Sequence, residues 1–229
     1  MGNGTKGPLK PEIPEVHEFL ARRNALIVHF SGTPRGGGMN HETSHLFPTD
    51  LQHVLEQKAM GGLSCSVVRP GDVFAGTCRN ATGSIGVVLG LQFKHSLVAV
   101  APDDCGSIVD ACGNRIVAEE KNIRRDDLER TLDDRTTYNE WVVRDYKVLG
   151  VFAAPPFQVS IMKVPEFPDD TPQELRNDTP VPDFRCVTLD ELATQFRDVP
   201  IFTFAQSGIS RKTTDGLVPA QHSEIYVTS

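Results

Sequence analysis

Residues 138–153 read Tyr138-Asn139-Glu140-Trp141-Val142-Val143-Arg144-Asp145-Tyr146-Lys147-Val148-Leu149-Gly150-Val151-Phe152-Ala153. Their pattern predicts two successive strands, over 138–146 and 148–153. Both runs are rich in β-branched and aromatic residues, which fit a pleated, half-buried surface. No helical segment separates them. After a break at Pro155-Pro156, a third strand is expected over 157–164. A doubly wound parallel sheet needs strands and helices in regular alternation. The pattern here predicts an α+β fold instead, with a mixed, mainly antiparallel sheet core and few short helices.

The flanking sequence extends the same reading. A short helix is expected over 15–23. Ala25-Leu26-Ile27-Val28-His29-Phe30 then reads as a buried strand ending in Ser31-Gly32. Thr49-Asp50 caps a predicted helix with apolar residues at Leu51, Val54, Leu55 and Met60, stopped by Gly61-Gly62. Leu63 to Val68 reads as a strand closed by Arg69-Pro70-Gly71-Asp72, a turn signal. The apolar runs 84–91 and 95–101 read as adjacent strands, and the charged stretch 119–134 as an exposed helix or loop. Residues 165–183 contain five prolines and several acids, the composition of a linker or wrapping loop. Thr188 and Glu191 form a capping box for a helix over 188–196, and 201–204 is strand-like. One domain is expected. It has a disordered arm at 1–14, a core at 15–164, a Pro-rich wrap with helix and strand at 165–206, and a polar, mobile tail at 207–229.

Composition narrows the function classes. The 229-residue chain carries a formal net charge of -7, which argues against a dominant polyphosphate-binding face, because bulk affinity for nucleic acid comes from Lys and Arg. The five cysteines are odd in number and form no Cys-x-x-Cys pair. A disulfide framework and a zinc ribbon are therefore not expected. No apolar run is long enough to span a membrane, and the N-terminus has no signal-peptide core. The expectation is a cytoplasmic protein with no membrane partner.

Four features could carry chemistry. Glu140 is a lone acid opening an apolar strand. At a sheet end facing a cleft, its carboxylate could hydrogen-bond a ribose hydroxyl or stabilise a developing cation; it reads equally as a solvent-facing edge residue. His29 ends a strand and could bond a ligand hydroxyl, or be a satisfied, partly buried histidine. Gly32-Thr33-Pro34-Arg35-Gly36-Gly37-Gly38 could approach a phosphate through backbone N–H groups with Arg35 as the charge; the alternative is a mobile loop. His41-Glu42-Thr43-Ser44-His45 matches His-Glu-x-x-His literally, but that motif needs a helix to aim both imidazoles at one metal. Here it follows three glycines, with no third ligand in view, so no metal site is assigned.

Two of these features combine into a resemblance. A strand ending in His29-Phe30-Ser31 is followed by Phe47-Pro48-Thr49-Asp50-Leu51-Gln52-His53-Val54-Leu55, then Gly61-Gly62-Leu63-Ser64-Cys65. This is similar to the start of DarT-like and poly(ADP-ribose)-polymerase-like ADP-ribosyltransferases, which place a His on the first strand and then a helix. Tyr138-Asn139-Glu140-Trp141-Val142-Val143 resembles the late strand that carries the catalytic Glu of the polymerase-like branch. The match runs through short motifs over roughly residues 25–160. It lacks the middle Gly-x-Tyr-Phe segment and the Ser-Thr-Ser strand of the toxin-like branch, although Ser84 stands near the latter position. Tyr138 occupies the place of the second acid of arginine-specific toxins, which disfavours arginine as acceptor.

The resemblance implies a split pair of small β-sheets gripping NAD as substrate. It implies that His29 and the Ser31-Gly32 backbone hold the adenosine ribose and nicotinamide amide. Arg35 or Arg69 would pair with the pyrophosphate, and Ser84 and Tyr138 would complete the NAD-contacting set. Glu140 would hold the nicotinamide ribose and stabilise an oxocarbenium-like transition state. The implied partner is a macromolecular acceptor, protein or nucleic acid; a protein partner docked by the Pro-rich segment 165–183 belongs to the non-catalytic reading below. The implied setting is the cytoplasm, or a target cell's cytoplasm for a secreted effector. Two other readings stand beside it: a non-catalytic binding module on the same sheet, and a metal-dependent hydrolase using His41, His45 and an acid.

Overall fold

A computed structural model describes residues 13–32, 54, 62–71, 81–102, 118–119, 123–133, 139–155, 157–163, 167–176, 181–205 and 208–226. The predicted helix over 49–60 is therefore seen only at Val54, which is helical and buried. Of the arm expected at 1–14, residues 1–12 lie outside the described residues, while Ile13 and Pro14 open a helix instead of being disordered; the segment 33–53 and Tyr138 also lie outside the described residues.

Helix α1 (Ile13–Arg22) forms because Val16, Phe19 and Leu20 recur at helical spacing and bury one face. Glu15 in its first turn and Arg22 in its last complement the helix dipole. It ends at Asn24, whose φ of 49° is the left-handed conformation that Asn tolerates. Strand β1 (Leu26–Gly32) follows directly. The next strands are β2 (Leu63–Val68), β3 (Ala81–Leu91), β4 (Leu97–Ala101) and β5 (Ala118–Glu119). Helix α2 (Arg125–Asp133) precedes β6 (Glu140–Val143) and β7 (Tyr146–Ala153). A separate pair, β8 (Gln158–Lys163) and β9 (Val181–Cys186), leads to α3 (Leu189–Gln195). The chain closes with β10 (Ile201–Ala205), β11 (Gly208–Thr213), β12 (Gly216–Pro219) and α4 (His222–Ile225).

The main sheet has the order β12-β11-β10-β7-β3-β1-β2-β6-β4-β5. Neighbours are antiparallel except β7 and β10, which run parallel. The mixed, mainly antiparallel α+β expectation is thus met. One detail of register decides the shape. Strands β1 and β2 pair only over Leu26–Val28 against Ser66–Val68. Beyond that point His29 and Phe30 pair with Val87 and Gly86 of β3, while Leu63, Ser64 and Cys65 pair with β6. The β1–β2 ladder therefore stops at Val28–Ser66, and beyond it β1 continues against β3 and β2 against β6 within a single ten-stranded sheet. Gly86 permits the tight β1–β3 approach: a Cβ there would stand 2.6 Å from the His29 carbonyl oxygen and 2.6 Å from a Val28 methyl.

Alternation along β1 feeds two cores. Ile27, with Cys65, Val67, Val87 and Trp141, packs under α1 and α2. Leu26, Val28 and Phe30 pack on the other face with Phe152, Phe202, Ile209 and Ile225. Trp141 anchors the first core. Its fully buried ring stacks on Phe19 at 6.4 Å, and its Nε1 donates to Thr131 Oγ1 at 3.1 Å. Thr131 in turn donates to the Leu128 carbonyl. Truncating such a buried Trp to Ala costs about 3–5 kcal/mol. An Arg23–Glu129 ion pair joins the end of α1 to α2.

Several expectations are corrected. The runs near 84–91 and 95–101 are strands but not neighbours. The buried Ser96 ties the intervening turn to the β6–β7 junction through bonds to Asp145 and Arg144, which sends the chain to the other half-sheet. The strand over 138–146 breaks at Asp145, whose φ is 46°. The charged stretch near 119–134 includes an amphipathic helix, because Leu128 and Leu132 fall four apart and are buried. The Pro-rich wrap carries β9 from Val181. The segment after Ser207, expected to be a mobile tail, adds two strands and a helix through residue 226. Ile209 and Ile225 bury in the second core, and Tyr226 donates its hydroxyl to the Ala25 carbonyl at 2.9 Å. The capping box at Thr188 and Glu191 is present as expected.

His17 on α1 gives the fold a pH dependence. It is buried, its Nδ1 has no hydrogen-bond partner, and burial holds its pKa below the ordinary histidine value, with a bond to the Leu91 backbone partly opposing. The unfolded chain therefore binds this proton more readily than the native one. Stability should fall as pH drops below about 6.5, through the depressed native pKa, with a slope of at most about 1.4 kcal/mol per pH unit. Urea denaturation of wild type and His17→Leu between pH 7.5 and 5 should show a shallower decline in the variant. Parallel declines would refute this role.

Candidate active site

Glu140 opens β6 and pairs with Ala101 of β4. It is only 9% exposed, in a strand whose neighbours Trp141 and Val143 are fully buried. It is therefore not a solvent-facing edge residue: β6 lies inside the sheet, between β2 and β4. Continuing the β2–β6 register from Cys65↔Trp141 sets Glu140 beside Ser66, which itself faces Val28 of β1. Burying a carboxylate costs several kcal/mol unless the surroundings compensate, so its presence in this strand calls for a specific use.

Asn139, immediately before, grips β2. Its Oδ1 accepts from the Val67 N–H at 2.7 Å, and its Nδ2 donates to the Val67 carbonyl at 2.9 Å. Cys65 stands on the opposite face of β2 from Ser66. Burial first, and then the charge of Glu140, push its thiol well above the ordinary range. A thiol held protonated in apolar surroundings is no nucleophile.

His29 sits where β1 leaves β2. Its Nδ1 lies 2.7 Å from the carbonyl of Ser64, an exposed residue at the start of β2. A ring nitrogen bonded to a carbonyl must carry the proton, which leaves Nε2 as an acceptor in the neutral ring. The imidazole thus bridges the mouth of the split. Ser31 and Gly32 continue β1 past it. The β1–β3 register shifts between Phe30 and Gly32, which pairs with Ala81, and Ser84 lies in the stretch of β3 spanned by that shift. The structure thus gathers His29, Ser31, Gly32 and Ser84 at one end of the β1–β3 pair. Glu140 lies across β2 from them and one residue out of step: it is level with Val28, and by alternation it faces the opposite side of the sheet from His29.

Arg69 is placed elsewhere. It follows β2 at the paired end, away from Ser31 and Gly32, and its guanidinium donates to the Leu132 carbonyl in the last turn of α2. The structure assigns it to a helix end instead of the pyrophosphate role expected of it. Arg35, Tyr138, His41 and His45 lie outside the described residues. Among the described residues no group of three or more His, Cys, Asp or Glu side chains is placed to hold a metal ion, and no helix is long and apolar enough to cross a membrane. Sequence reasoning missed Asn139. The available signal was an amide side chain one residue ahead of the acid, at the predicted strand's start.

No protein family, curated protein or solved structure matches this chain.

The contrast between the two described cysteines is testable. Cys65 is buried and Cys186 exposed. Brief alkylation of the native protein at pH 8, read by peptide mass mapping, should label Cys186 at least about tenfold faster than Cys65, with Cys65 labelled only in denaturant. Equal labelling would contradict the placement of Cys65.

Proposed function

We propose that this chain is an NAD-dependent ADP-ribosyltransferase, transferring ADP-ribose to a macromolecular acceptor with release of nicotinamide. The observation that carries the reading is a carboxylate, Glu140, held almost out of solvent at the point where the sheet divides. The split itself supports the reading, since the resemblance implies two small sheets with NAD between them. So does the cluster of His29, Ser31, Gly32 and Ser84 at one end of β1 and β3.

In this reading the mouth of the split receives NAD. His29 Nε2 accepts from a ribose hydroxyl, while its Nδ1–H stays anchored on Ser64. The Ser31-Gly32 backbone holds the carboxamide. Glu140 accepts from a hydroxyl of the nicotinamide ribose. As the C1′–N bond breaks, nicotinamide leaves as a neutral ring and positive charge develops on the ribose. A fixed carboxylate in a low-dielectric site stabilises that charge more than water would. The acceptor nucleophile then forms the new bond to C1′ and loses its proton. The net charge of -7 leans toward a protein acceptor over an extended nucleic-acid footprint. The cytoplasm, of the producing or of a target cell, is the compartment this reading proposes.

The offset between His29 and Glu140 favours a second reading, in which the split binds a ligand or partner without chemistry. Nicotinamide release separates the two. Glu140→Gln keeps the side-chain shape and removes the charge; it should lower the rate of release by roughly 10²–10³-fold with little change in melting temperature. If wild type and variant are equally inert and neither binds NAD, the enzyme reading is wrong.

A further inference from the structure

The two hydrogen bonds from Asn139 to Val67 carry an inference about how the site is held. A side-chain amide is a peptide group on a one-carbon arm, and it presents the same donor and acceptor as a backbone residue. Here it takes both positions that a β6 residue would use opposite Val67, at 2.7 and 2.9 Å. Strand β6 begins one residue later, at Glu140. On the other side, Trp141 is locked by its ring stack on Phe19 and its indole bond to Thr131. Glu140 is therefore the residue between two fixed neighbours, one clamped to β2 and one to α2.

We propose that Asn139 is a positioning residue: its amide clamp on Val67 fixes the backbone of Glu140 so that the carboxylate is already aimed before substrate arrives. This rests on Glu140 being the catalytic acid. Without the clamp, Glu140 keeps its ladder pairing with Ala101 of β4 on one side, but the start of β6 is no longer tied to β2 on the other, and the carboxylate gains freedom to swing. A preorganised charge avoids reorganisation during reaction, and that advantage is lost when the group must first be ordered. The clamp contacts no substrate, so it acts on turnover and not on ground-state binding.

The test compares wild type, Asn139→Ala and Asn139→Asp in NAD cleavage, with hydrogen exchange of the Val67 amide measured alongside. Asn139→Ala should lower kcat by about 10²-fold, the scale of an ångström-sized misplacement, with KM nearly unchanged; the unpaired Val67 backbone also lowers the melting temperature by a few degrees. The Val67 amide should exchange at least about tenfold faster. Asn139→Asp keeps the acceptor for Val67 N–H but loses the donor to its carbonyl, so its kcat should fall between the other two. An active wild type whose kcat is unaltered in Asn139→Ala, with Val67 exchange accelerated, overturns the inference and leaves the enzyme reading intact. A loss of kcat that disappears when the assay is run well below the variant's melting temperature reduces Asn139 to an ordinary stabilising contact and also overturns it. An inert wild type with a protected Val67 amide overturns the enzyme reading, and this inference with it.

Discussion

The parting of β1 from β2 after the Val28–Ser66 pair is the constraint on which the rest of the structure depends. Up to that pair, one sheet alternates its side chains into two cores. Beyond it, β1 is held by β3 and β2 by β6, within one ten-stranded sheet. Strand β3 holds the first through His29 and Phe30, with Gly86 allowing the close approach. Strand β6 holds the second. His29, Ser31 and Gly32 lie just past the last β1–β2 pair. The bond from His29 Nδ1 to the Ser64 carbonyl spans the gap.

Glu140 gains its character from the same arrangement. It lies level with the last shared pair, in a strand flanked on both sides, so the sheet excludes water from it. Its neighbours along the chain are among the most firmly fixed residues in the molecule: Trp141 is fully buried, and Asn139 is bonded twice to β2. Rigidity on either side of a buried charge is what electrostatic catalysis needs. A binding module that used the same split would have less need of it.

Local features of this fold were legible in the sequence, and long-range ones were not. Leu63 to Val68 read correctly as a strand to the residue, because its bounds are marked by Gly62 and by the Arg69-Pro70-Gly71 turn. The Thr188–Glu191 capping box was legible because cap and partner lie three residues apart. The pairing of β3 with β1 and β7 instead of β4 was not, since nothing in two adjacent apolar runs records the buried turn at Ser96 that separates them. The final strands were missed because β11 shows a single apolar side chain, Ile209, in Gly208–Thr213, and it buries against Phe152 and Phe202, which are distant in sequence. The Asp215-Gly216 dipeptide was a hairpin signal there, and Gly216 has the positive φ that it predicts. For the site, residue identities at 29 and 140 drew attention to both positions. Their one-residue offset and the Asn139 clamp exist only in the register.

Whether the split is where NAD sits can be measured directly by hydrogen exchange across the whole chain, with and without NAD. Saturating NAD should slow exchange at the end of β1 (residues 28–32), at Ser64–Ser66 and around residues 139–141, and leave β11, β12 and α4 unchanged. Protection confined to other segments, or no protection at NAD concentrations that support turnover, would contradict the placement of the site.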